Sequence, residues 1–245
     1  MAVSTLNRRL WWGQFHISAD VQDIEVDTGC EPQDATVLTN TAKNMRGTLP
    51  YVNLKAKGFA DFASGGVSDA LRANVNVANV PVTVGLEGAT VDTKAMLFLT
   101  RLLQYRTPGV VGTLLPFDIA ASGQGTPGVF GYLMGLGSKT STANGTAIQL
   151  GTLDTGETMY AALHVISASG TSPTLDVVIA SDNDSGFASG VTRITFAQKV
   201  AAGSEWKSLA GPIATDDWWR ATWTIGGTDT PTFDVVIAVG IATNP

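Results

Sequence analysis

A chain of 245 residues, 44% hydrophobic and only 15% charged, is long enough for one large or two ordinary domains with cores of their own. The formal charge of −6 is carried by residues 141–245, which hold 4 Lys/Arg against 10 Asp/Glu; residues 1–140 balance at 11 and 11, and no cationic run exceeds Arg8-Arg9, which excludes a phosphate-tracking nucleic-acid binder. The lone Cys30 excludes a disulfide framework, and the N-terminal stretch lacks the apolar core of a signal peptide or membrane span, so the chain is expected to be made and kept in a cytoplasm.

The chain opens on an aromatic cluster, Leu10-Trp11-Trp12 and Phe15, expected at the edge of a core, with an interface anchor as the rival role. DIEVD follows, where Ile24 and Val26 face one way and Asp23, Glu25 and Asp27 the other; three carboxylates in a row on one strand face read as a solvated face. Residues 31–50 form a polar, threonine-rich arm with Thr36, Thr39, Thr41 and Thr48 and no apolar periodicity, expected to be ordered. YVNLKAKGF then alternates Val52, Leu54 and Ala56 with Asn53, Lys55 and Lys57, a strand signal. A GFADF turn leads to a short helix predicted over 64–75, with Ser64 as N-cap and Val67, Leu71 and Val75 on one face.

PVTVGLE alternates Val82, Val84 and Leu86, whereas KAMLFLTRLLQY is continuously apolar and reads as a strand covered on both faces. In TLLPFDIAAS, Pro116 marks a bulge or edge. Gly123, Gly125 and Gly128 form a GxGxxG by spacing, but Pro127 and the β-rich flanks make it a plain loop rather than a dinucleotide turn. VFGYLMGLG is the next strand, and the small polar run 137–145 marks a boundary between a domain over 1–140 and one over 145–245.

Seven short strands are predicted beyond it: TAIQLG, TMYAALHVISA, PTLDVVIAS, VTRITFAQ, EWKSL, WWRATWTI and TFDVVIAVGI. SGTSPTLDVVIA (169–180) returns as GGTDTPTFDVVIA (226–238), two similar strands of one sandwich. The fold class is therefore all-β with one short helix, an antiparallel sandwich or barrel followed by an immunoglobulin-like or jelly-roll-like sandwich.

The order of a Thr-rich arm, Leu49-Pro50, a strand, the GFADF turn and a short helix resembles the major tail tube proteins of long-tailed, non-contractile bacteriophages. The C-terminal half is similar to that family's appended domain through Arg220-Ala221-Thr222-Trp223-Thr224 and the two Gly-Thr-…-Pro-Thr strands. The resemblance implies a virion structural protein, made in the host cytoplasm, whose copies form stacked, hexameric rings with their sheets joined into one barrel. DNA would pass through without specific binding, and partners would be other copies and further tail proteins (tape measure, terminator, tip), with no cofactor and no membrane. It implies an inter-ring arm made by Gln33, Asp34, Thr36, Thr39, Thr41, Lys43, Arg46, Leu49 and Pro50, and a lumen face carrying Asp23, Glu25 and Asp27.

Catalytic signals fail on inspection. His16 and His164 lie in different halves without Cys or Glu at metal spacing, and His164 sits in an alternating strand as a core or face residue. SDNDSGF (181–187) is like a calcium loop in Asp182, Asp184 and Gly186, but Arg193 stands where the bidentate Glu belongs. No nucleophile elbow is present, and neither an enzyme nor a metal site is expected. The alternative to a tube subunit is a decoration or carbohydrate-binding sandwich module of a virion, with Trp218, Trp219 and Trp223 as a glycan platform; Trp219 and Trp223 on one face equally suit a core.

Overall fold

The computed structural model describes residues 8–37, 42–63, 66–109, 112 and 114–243, with only the backbone of Thr48. The strands are β1 (Arg9–Trp12), β2 (Phe15–His16), β3 (Val21–Asp34), β4 (Met45–Phe59), β5 (Val80–Gly85), β6 (Lys94–Arg106), β7 (Pro116–Gly123), β8 (Val129–Lys139), β9 (Ala143–Asn144), β10 (Ile148–Gln149), β11 (Glu157–Asp182), β12 (Val191–Thr195), β13 (Gly203–Ala210) and β14 (Trp218–Thr243), with one helix, α1 (Val67–Ala73). All strand pairs are antiparallel, and the sheet is open rather than closed on itself.

In the first half the order is β3-β4-β7-β6-β5-β1-β2. Alternation builds its core: Val52, Leu54 and Ala56 from β4 and Phe117, Ile119 and Ala121 from β7 turn inward onto Leu10, Trp12, Val82, Phe98 and Leu102. Ile24 and Val26 pack on the same cluster, so the inward set read from the sequence is the observed one. α1 seats Val67 and Leu71 on it, but its N-cap is Gly66, without a side-chain cap, and Ser64 lies outside the described residues. The helix stops at Ala73, which leaves Val75 exposed instead of on the buried face. β5 is buried along its whole length, because a second layer covers the face that alternation left open.

The second half departs from seven short strands. TMYAALHVISA and PTLDVVIAS are one 26-residue strand, β11, and WWRATWTI and TFDVVIAVGI are another, β14, paired along their length. The expected breaks are bends, at register shifts between Val165 and Thr174. Pro173 and Pro231 fall within these unpaired stretches, where a missing N–H costs no ladder bond. Each long strand thus serves two layers: Leu163 and Val165 before the bend share a core with Leu175, Val177 and Ile179 after it, and Phe233 and Val235 share it with Trp219 and Trp223. The sequence echo is a structural one, since the Gly170 and Gly227 turns lie side by side with Thr171 opposite Thr228.

β8 links the halves by pairing with β6 on one side and β14 on the other. Between the layers lie Trp11, Ala95, Leu133, Val236 and Ala238, and a second group of Leu97, Val129, Tyr160 and Ala162. The opening aromatic cluster is therefore core rather than interface: Trp12 fills the first core and Trp11 the junction. At Gly131, where β8 meets β14, an added Cβ would sit 2.0 Å from the Val239 carbonyl oxygen. Gly131→Ala is expected to cost about 1–3 kcal/mol by forcing these strands apart, measured by denaturant unfolding; a loss within about 0.5 kcal/mol would show that the ladder gives way easily.

Candidate assembly surface

The β3–β4 hairpin turns most of the predicted arm into regular structure. The register runs from Val21 opposite Gly58 to Asp34 opposite Met45, so residues 31–34 and 45–50 are strand and only 35–44 form the connection. The polar composition misled here because both faces of the distal hairpin are solvated, which erases the apolar alternation of a half-buried strand. The tip holds itself together: Asp34 accepts the Thr36 N–H, Thr36 Oγ1 accepts the Asn44 N–H at 2.8 Å, and Ala35 N–H donates to Asn44 O. Gln33, Lys43, Arg46 and Leu49 are exposed and Pro50 is half-buried, while Thr39 and Thr41 lie outside the described residues.

Near its base the hairpin is half-buried. Asp23, Glu25 and Asp27 are exposed opposite the core-facing Ile24 and Val26. They stand across from Lys57, Lys55 and Asn53, and Lys55 Nζ lies 3.4 Å from Glu25 Oε1. The row continues through Asp118, Ala120 and Ser122 of β7, with Arg106 of β6 opposite Asp118. This face carries Asp23, Glu25 and Asp27 on one strand and Lys55 and Lys57 on the next, so its charge alternates across strands. Local sequence carried the acids and the lysines separately, but their cross-strand register is set by distant pairings. A depression of about 230 Å³ crosses the face between Asp27, Lys55, Leu103 and Ser122.

The patch has two unpaired ends. Among the described residues β3 pairs with β4 alone, and Ile24 O also accepts a hydrogen bond from the Arg8 guanidinium at 3.0 Å. At the other end, among the described residues, Gln104, Tyr105 and Arg106 of β6 pair only with β7, beyond a bulge at Leu103 and a single bridge from Val75 to Leu102. Unpaired N–H and C=O rows of this kind are templates for another chain.

The second half offers no comparable surface at the tryptophans. Trp219 and Trp223 belong to the core, their indole N–H groups donating to Gly151 O and Ser141 O at 2.9 and 3.1 Å, so a platform of Trp218, Trp219 and Trp223 has lost two of its three rings. In the calcium-like loop the carboxylates serve the turn: Asp182 accepts the Asn183 and Ser189 N–H groups, and Asp184 accepts that of Gly186. Arg193 instead pairs with Asp216 at 2.9 Å, and the Ser181 hydroxyl and this guanidinium hold the Asp216 carboxyl below the usual range. Among the described residues no group of three or more His, Cys, Asp or Glu is placed to hold a metal ion, and no helix is long and apolar enough to cross a membrane.

His16 stacks on Trp11, whereas His164 is fully buried at the junction of the halves. Its Nδ1 bonds Gly13 O at 2.6 Å and its Nε2 lies 2.8 Å from Thr83 Oγ1, so Nδ1 carries the proton and the hydroxyl donates to Nε2. Burial pushes its pKa down to about 4, against the opposing pull of the Gly13 carbonyl.

No known family profile and no curated protein matches the chain. Among solved structures, a chain of the native gene transfer agent virion is similar over 54% of this chain and 98% of its own, at 10% identity and a TM-score of 0.43. The SPP1 tail tube is similar over 52% and 78%, at 9% identity and a TM-score of 0.42. The SPP1 Dit protein, described as a hub of the adsorption apparatus in Gram-positive-infecting phages, is similar over 96% and 99%, at 10% identity and a TM-score of 0.37.

Proposed function

We propose that this protein is a self-assembling structural subunit of a virion tail, forming rings that stack into a tube through which DNA passes. The observation that carries this reading is the four-stranded patch of β3, β4, β7 and the end of β6, with a hydrated outer face and an unpaired edge at each end. The two edges differ, so a contact between them is head-to-tail and closes into a ring when the rotation allows. Joining a stretch of β3 of one copy to residues 103–106 of the next would satisfy the short β6 row and the matching part of the β3 row, and would continue one sheet around the ring. The resemblance of the arm and the second half to tail tube proteins supports the same reading and suggests six copies per ring.

The outer face of the patch would then line the channel. Asp23, Glu25 and Asp27 among Lys55 and Lys57 present no unbroken cationic stripe on which a duplex would be held. The hairpin tip, with Gln33, Asp34, Thr36, Lys43, Arg46, Leu49 and Pro50, would reach the neighbouring ring.

Electron microscopy of the concentrated, purified protein tests this. Rings or hollow tubes with a channel wide enough for duplex DNA are the expected result. A single monomeric species at every concentration, with β3 amides exchanging as fast as those of a free edge, would overturn it.

A further inference from the structure

The two ends of the β3–β4 hairpin carry unsatisfied groups of matching kind. At the tip, Val37, Met45 and Leu49 are exposed, Leu49 to 82%. At the base lies a second apolar group: Phe59 stands opposite Pro116, the Ala60 N–H bonds Leu115 O at 2.8 Å, and Phe62, Leu114 and Leu115 are exposed beside them. Contiguous exposed apolar groups in a chain with few charges mark contact surfaces.

The charges match as well. Asp20 and Asp61 border the base, and neither forms an ion pair among the described residues. The Asp20 carboxyl is raised by burial and then by the charge of Asp61, so a cation brought to this end would relieve both. Among the described residues, Arg46 at the tip has no ion pair and Lys43 has only Asp34, at 3.9 Å with both side chains exposed. A contact between the tip of one copy and its own tip in another would set like charges together; tip against base sets them in opposition.

We propose that the hairpin tip of one copy docks on the hairpin base of a second copy, with Met45 and Leu49 against Phe59, Phe62, Leu114 and Leu115, and Arg46 against Asp20 and Asp61. The proposal rests on the tube reading and names the receptor that the arm would engage. Tip and base are different surfaces, so the contact does not close on itself and propagates as a filament. They are separated by the length of β3, roughly 40 Å at about 3.3 Å per residue, which sets the axial repeat.

Charge exchange tests it. In the full chain, Arg46→Asp and Asp61→Arg are each expected to raise the protein concentration needed for tube growth about tenfold or more, and the double variant Arg46→Asp/Asp61→Arg to recover most of it. Far-ultraviolet circular dichroism should match wild type in all three and the melting temperature should fall by no more than a few degrees, since both positions are exposed and only Asp61 gives up a bond, the one it accepts from the Ala63 N–H. Single variants that elongate normally, or a double variant no better than either single, would overturn the docking while leaving tubes, and so the tube reading, in place. Wild-type protein that forms neither rings nor tubes would remove both.

Discussion

Replacing residues 35–44 with Asn-Gly is expected to leave the fold intact and to abolish tube elongation. The hairpin register already sets Asp34 opposite Met45, and a two-residue turn of this composition closes such a pair with the twist of the flanking strands. None of the described residues among those replaced belongs to a core cluster, and the hydrogen bonds of Ala35, Thr36 and Asn44 are made within the tip or to its flanking strand ends. Shortening the connection changes closure entropy by only about 1 kcal/mol, so stability should stay within that range of wild type. Rings should still form, because the β3 edge is retained. Tubes of normal length from this variant would show that residues 35–44 are dispensable and that Met45, Arg46 and Leu49 suffice at the tip.

Acidification is expected to loosen the junction between the halves. His164 has a folded-state pKa of about 4 against an ordinary value near 6.5, so between these limits the unfolded chain binds the proton that the folded one refuses. Its contribution is therefore fully present above pH 6.5 and is lost as the pH falls towards 4, by roughly 3 kcal/mol in all. Below that point a protonated ring would put a second N–H against Thr83 Oγ1, which must then turn its own proton away. His164→Gln keeps polar groups at the site without a titration. Its stability relative to wild type, followed by denaturant unfolding from pH 7 to 4, should improve steadily; parallel curves would assign the acid sensitivity to other groups.

What the sequence disclosed and withheld follows from where each strand lies. β3 near its base, β4 and β7 each have one buried and one solvated face, so Ile24, Leu54 and the exposed Asp23, Glu25 and Asp27 could be read from alternation alone. β6 was legible in the opposite way over Ala95–Leu102, as a continuous apolar run covered on both faces, whereas its end from Leu103 onward is largely exposed and departs from that reading. The long strands β11 and β14 were hidden because Pro173 and Pro231 punctuate a sequence without ending a strand whose ladder has already shifted register. The register that sets Asp23 opposite Lys57 and Glu25 in an ion pair with Lys55, the free end of β6, and the closeness of Asp20 to Asp61 depend on which strands meet. Phe59 and Phe62 read only as parts of a turn, and their exposure beside Leu114 and Leu115 follows from their position at the sheet's end.

The place of β14 bears on how the chain reaches this state. It is the last described strand, yet it lies between β8 and β11, and β9 and β10 also pair with it. During synthesis β8 and β11 must therefore wait, each with an edge open and half of a core exposed, until residues 218–243 leave the ribosome. Pairings so distant along the chain are slow to form, which makes folding of this half wait on residues 218–243 and places its greatest aggregation hazard in the interval before they emerge.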